Sequence, residues 1–154
     1  MDIDLVVDFL IRTIPGVVAA FLAARLAVNK FYKEKSWERR EMAYAEIINN
    51  LYNLIKYFRV HKEDYGQGTG LSESKEVELY TDYISASSSL AKATDIGSFY
   101  ISNEANYVLN KLRNRKLLNY REEPMSEIYE SEYQAHQTAL NEILVIAKKD
   151  LKIK

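Results

Sequence analysis

Residues 5–28 read LVVDFLIRTIPGVVAAFLAARLAV, and what covers this stretch decides the architecture of the chain. As an α-helix its 24 residues span roughly 36 Å at about 1.5 Å each, enough for a hydrocarbon core of about 30 Å. The uncharged run within it, residues 13–24, is only 12 long, a length shared by signal peptides and buried core helices. Against a signal peptide, the preceding residues are acidic (Asp2, Asp4, Asp8), and the alanine-rich sequence passes into a basic helix with no loop between. A membrane helix is therefore expected, with a buried helix as the alternative.

At about 100° per residue, Asp8, Arg12, Gly16, Ala20 and Ala24 form one ridge, with Ala19, Ala23 and Ala27 beside it and Thr13 on the same half. The other half carries Ile11, Ile14, Val18, Phe21 and Leu22. Small residues spaced by four let membrane helices approach closely, and charges in a span face protein or water. The small, polar ridge is thus a candidate packing or pore-lining face, and the bulky half suits lipid. A simple anchor, in which the alanines carry no meaning, is the plainer alternative. Pro15 either kinks the helix or begins its regular part.

The flanks orient the segment. Arg25, Lys30, Lys33, Lys35, Arg39 and Arg40 follow it, whereas only acids precede Arg12. An excess of Lys and Arg marks the cytoplasmic side, so a single pass with the N-terminus outside and the rest in the cytoplasm is expected. Residues 1–29 then form the membrane helix and residues 30–154 a cytosolic domain.

Beyond residue 30, Trp37, Tyr44, Ile47, Ile48, Leu51, Leu54, Ile55 and Phe58 recur at helical spacing. GQGTG (66–70) ends that helix. Ser72 then caps a helix with apolar positions Val77, Tyr80, Ile84, Leu90 and Ala91. Asp95-Ile96-Gly97 breaks it, and Ser102 caps the next, running from 103 to about 118 over Val108, Leu109 and Leu112. Pro124 opens the last, which carries Ile128, Ala135, Leu140, Ile143, Leu144 and Ala147. The expected fold is all-α: one N-terminal membrane helix followed by an antiparallel four-helix bundle.

Composition removes most chemistry. The chain of 154 residues has no Cys and 2 His, which excludes thiolate zinc sites, Cys nucleophiles and His-rich metal centres. Its net charge of −1 excludes a histone-like nucleic-acid binder but leaves room for a local patch. Lys111, Arg113, Arg115, Lys116 and Arg121 form such a stretch, with no acid from Ala105 to Arg121. It is a candidate contact for RNA or anionic lipid, although cations at a helix C-terminus also answer its dipole. Glu122, Glu123, Glu127, Glu130 and Glu132 gather near a helix start, where acids are favoured, and no paired Glu-x-x-His array makes them a di-iron site. No metal, no cofactor and no catalytic residue is expected.

FYKEKSWERREMAYAEIINNLYNLIKYF (31–58), directly after the apolar segment, and LAKATDIGSFYISNEANYVLNKL (90–112) resemble a group of small bacterial single-pass membrane proteins. The layout is similar to that of the Cas13b-associated accessory membrane proteins of type VI-B CRISPR loci. The resemblance implies a ring-shaped homo-oligomeric pore in the bacterial inner membrane that acts in antiviral defence. The implied partners are membrane lipid and an RNA-guided effector nuclease or its RNA products. The bundle is HEPN-like at most. That ribonuclease class carries an Arg followed by four to six residues and then a His, whereas the residues five to seven before His61 are Lys56, Ile55 and Leu54 and those before His136 are Ser131, Glu130 and Tyr129. A membrane-tethered RNA-binding or ribonuclease accessory, or a plain membrane-anchored scaffold, are the alternatives.

Overall fold

A computed structural model describes residues 3–68 and 70–153, with side chains described from Gly16 onward except at positions 66, 67 and 98. Among the described residues the chain is helical, without strands. Helix α1 is Ile3–Gln67, α2 is Glu73–Ile96, α3 is Asn103–Arg113 and α4 is Met125–Asp150, with a 3-10 turn at Gly97–Phe99. The apolar segment and the first bundle helix are thus one continuous α1, with no break near Asn29. The chain forms two compact units, Met1–Glu38 and Arg39–Lys154.

In the second unit, Tyr44, Ile47, Leu51, Leu54 and Phe58 are buried. Their alternating spacing of three and four keeps one stripe of α1 against its partners, as in helical bundles. Opposite them lie Ala86 and Leu90 of α2, Ala105, Val108, Leu109 and Leu112 of α3, and Ala139, Ile143 and Ala147 of α4. The boundaries have local causes. The Gly68 amide donates to the Asp64 carbonyl at 2.8 Å, and its φ of 62° is a left-handed conformation that glycine adopts without steric cost. Ser102 caps α3, its Oγ accepting from the Ala105 amide at 3.3 Å. Ser72 precedes α2 without a side-chain cap bond.

Three expectations are corrected. Helix α3 stops at Arg113, not near Leu118. The Asn114 amide closes onto the Asn110 carbonyl at 2.9 Å, and Arg115 Nη1 donates to the Leu112 carbonyl at 2.5 Å. These bonds satisfy the orphan carbonyls of the last turn, and the chain leaves the helix. Helix α2 buries Leu79, Ala86, Leu90 and Thr94, while Val77, Tyr80 and Ile84 are exposed. It carries two apolar stripes about 120° apart, and the stripe that includes the small Ala86 is the one that packs. Trp37 and Leu144, expected in the core, are exposed.

Among the described residues no helix is long and apolar enough to cross a membrane. The first part of the expected span, residues 5–15, lies outside the described side chains.

Candidate functional site

The first unit is unusual in its exposure. Every residue from 16 to 42 is exposed, among them Val17, Val18, Phe21, Leu22, Leu26, Val28, Phe31 and Tyr32. Isolated exposed apolar side chains are ordinary, but a contiguous run of them marks a surface that something else covers. Gly16, Ala19, Ala20, Ala23, Ala24 and Ala27 share one face of this helix by their spacing, and a Cβ built on Gly16 meets no atom within 4 Å. Asp8, Arg12 and Thr13 belong to α1, and their side chains lie outside the described residues. In the basic flank, Lys30 pairs with Glu34 at 3.8 Å and Lys35 with Glu38 at 2.7 Å. Arg25 and Lys33 are exposed. Surface pairs of this kind contribute little to stability.

In the second unit the basic stretch is dispersed among acidic partners. Lys111 lies 3.9 Å from Glu142, and Arg113 Nη1 donates to Asp95 at 2.5 Å. Arg115 forms a two-pronged bond with Glu132, through Nε at 3.2 Å and through Nη2. Lys116 and Arg121 remain on the exposed surface. Three of the five cations thus stand beside a carboxylate that a reading of adjacent sequence does not supply.

Arg115 and Glu132 lead to a feature with no linear signature. His136, one helical turn after Glu132, is 5% exposed. Its Nδ1 lies 2.7 Å from the Glu132 carbonyl. A carbonyl only accepts, so Nδ1 carries the proton, and in the neutral ring Nε2 is an acceptor. Burial pushes the His136 pKa down against the opposing carbonyl bond, and the neighbouring Arg115 adds to the lowering. The ring lines a cleft of about 170 Å³ closed by α1, α2, α3 and α4, together with Leu54, Phe58, Thr94, Arg113 and Arg115. The Thr94 hydroxyl donates to the Leu90 carbonyl at 2.8 Å, so only its lone pairs remain to offer.

His61 sits in a different setting. Its ring stacks on Tyr129 at 5.3 Å and meets Tyr57 edge-on at 4.3 Å. Its Nε2 is buried without a partner, and burial lowers its pKa. At the other end of the bundle, the Tyr44 hydroxyl donates to Asp150 and receives the Ser102 amide at 3.3 Å, tying α1 to the ends of α3 and α4. Burial opposes ionisation of Asp150, but the hydrogen bonds from Tyr44 and Ser102 and the nearby Arg40 and Lys149 cations together outweigh it, holding its pKa below the ordinary range. Among the described residues no three carboxylate or imidazole side chains group as a metal site.

The two lowered histidines have a pH consequence. A His whose folded pKa lies below its unfolded value of about 6.5 binds fewer protons folded than unfolded, so stability falls as pH drops through that value. Urea midpoints of the full chain are expected to be lower at pH 5.5 than at pH 7.5. The difference should shrink in His136→Phe. An unchanged difference would place the acid sensitivity elsewhere.

No protein family, curated protein or solved structure matches the chain.

Proposed function

We propose that this protein is a membrane-inserted homo-oligomer whose N-terminal helices pack through their small face into a ring and permeabilise the bacterial inner membrane, as an accessory of RNA-guided antiviral defence. The observation that carries the proposal is the exposure of every residue from 16 to 42, with large apolar side chains clustered between Val17 and Tyr32. Such a helix is stable only where lipid or other copies cover it. One chain supplies too short an uncharged run to span comfortably alone, because Arg12 and Arg25 bracket residues 13–24. An assembly removes that difficulty. Charges on the small ridge then face an aqueous lumen, and Arg25 reaches head groups by snorkelling. The defence context rests on the resemblance of residues 31–58 and 90–112. The role requires membrane lipid and further copies of the chain, with an RNA-guided nuclease or its RNA products as trigger, and it needs no catalytic residue or cofactor.

Detergent-extracted protein is expected to form rings in negative-stain images, and its expression should depolarise cells carrying a voltage-sensitive dye. Monomers that leave the membrane potential intact would overturn the proposal in favour of a scaffold. The proposed topology places residues 30–154 in the cytoplasm. A reporter fused after Lys154 should therefore be active only in its cytoplasmic form, and activity of a periplasmic reporter there would reverse the orientation.

A further inference from the structure

At the end of the bundle opposite Tyr44, a ladder of aromatic rings joins three helices, and one of its rungs is an imidazole. Tyr80 and Tyr83 of α2 stack at 6.3 Å. Tyr83 stacks on Tyr57 of α1 at 4.4 Å, Tyr57 meets His61 edge-on at 4.3 Å, and His61 stacks on Tyr129 of α4 at 5.3 Å. The buried Phe58 packs edge-on against Tyr57 at 5.4 Å and Tyr83 at 5.7 Å. The ladder thus holds the opening turns of α2 and α4 on the final part of α1. Tyrosines ionise near pH 10, and burial pushes Tyr57 up to about 12, so His61 is the rung that changes charge near neutrality.

That change has no outlet inside the ladder. His61 Nε2 is buried and has no hydrogen-bond partner. In the cation both ring nitrogens carry hydrogen, so Nε2 becomes a charged donor with no acceptor within hydrogen-bond distance. Burying such a group is costly, and the attraction of a cation to the Tyr129 face recovers only part of that cost. Burial accordingly lowers the His61 pKa. The charged groups that face the ring are Asp64 on α1 and Glu76 on α2, and both favour the cation, Glu76 the more. From α4 it faces Tyr129, on which Glu76 and Tyr65 act in turn. Glu130 of α4 is held by Lys62 at 2.6 Å, and Lys62 lies over the Tyr133 ring. Glu76 is exposed and sits one turn before Tyr80.

We propose that His61 is an acid-operated latch: on protonation its ring leaves the aromatic stack for the Glu76 carboxylate, and the opening turns of α2 and α4 come away from α1. In neutral solution the uncharged ring completes the ladder and the latch is shut. In acid the turned-out cation gains a charge-assisted hydrogen bond to Glu76, and Tyr57 and Tyr129 lose the ring between them. The device differs from a general loss of stability in acid. It opens one end of the bundle and leaves Tyr44, Ser102 and Asp150 joined at the other. It is independent of the membrane role and survives its failure.

The test is amide hydrogen exchange of the full chain in detergent, read by mass spectrometry and corrected for the intrinsic pH dependence of exchange. An imidazole with an ordinary pKa of about 6.5 in the open form becomes charged between pH 7.5 and 5.5, which multiplies the opening equilibrium by up to about tenfold. Amides of residues 77–83 and 128–133 should exchange several-fold and at most about tenfold faster at pH 5.5, in excess of any change in 105–109 and 143–147, which report the core. His61→Phe keeps an aromatic rung without the charge and should remove that excess. Glu76→Gln, at an exposed position, keeps the neutral ladder but weakens the acceptor, and should reduce the excess at least about twofold. The outcome therefore does not hang on His61→Phe folding. Acceleration shared equally by the core amides, an excess that persists in His61→Phe, or an excess unaltered in Glu76→Gln would each overturn the inference, as would exchange that does not respond to pH.

Discussion

Gly16→Ile is expected to abolish ring assembly and membrane depolarisation while leaving the bundle folded. Gly16 lies on the same ridge as Ala20 and Ala24, and a Cβ at Gly16 meets nothing within 4 Å of its own chain. Added bulk therefore cannot strain the single chain, and any loss arises between copies. Overpacking a close helix contact costs about 1–3 kcal/mol. In a ring the same contact recurs at every interface, so the penalty accumulates with subunit number and shifts the population away from rings. Ala20→Leu should act in the same direction. Val18→Leu, on the bulky half, changes little and serves as the control. Particle size in detergent and dye-reported potential are read together. Equal behaviour of the two faces would make α1 an anchor only, and the pore would be abandoned.

The features legible in the sequence are those set by short-range periodicity. Tyr44, Ile47, Leu51, Leu54 and Phe58 announce a helix and the side it buries, because alternating steps of three and four admit one apolar stripe. The cap at Ser102 is equally local. Helix α2 offers two stripes, and the choice between them depends on which lets the neighbouring backbone approach. Ala86 decides that, and a reading that weights side-chain size favours Val77, Tyr80 and Ile84 instead. The end of α3 depends on Arg115 folding back to Leu112 and on to Glu132, a contact over 17 residues. The cleft was illegible for the same reason. Glu132 and His136 are one turn apart and could be paired by eye, but Arg113, Arg115, Thr94 and Ser87 reach them only through tertiary packing.

The orientation of α2 is open to a direct test, in which Leu79→Ala is expected to cost about 2–5 kcal/mol and Ile84→Ala under about 1 kcal/mol. Leu79 is 2% exposed and Ile84 48% exposed. Truncating a fully enclosed leucine removes its transfer free energy and leaves a cavity that the neighbours fill only in part. Truncating Ile84 removes methyl groups that already touch solvent. For a chain of this length, each kcal/mol moves the thermal midpoint by roughly 2–4 °C. Leu79→Ala should therefore melt roughly 4–20 °C below the parent and Ile84→Ala within about 4 °C of it. Circular dichroism of the full chain in detergent makes both measurements. The reverse ranking would mean that α2 is rotated and that Val77, Tyr80 and Ile84 form the buried stripe. Equal large losses would mean that both stripes are covered, Leu79 within the chain and Ile84 by a neighbouring copy. Dilution separates these cases, since a contact between copies weakens with protein concentration whereas the core of one chain does not.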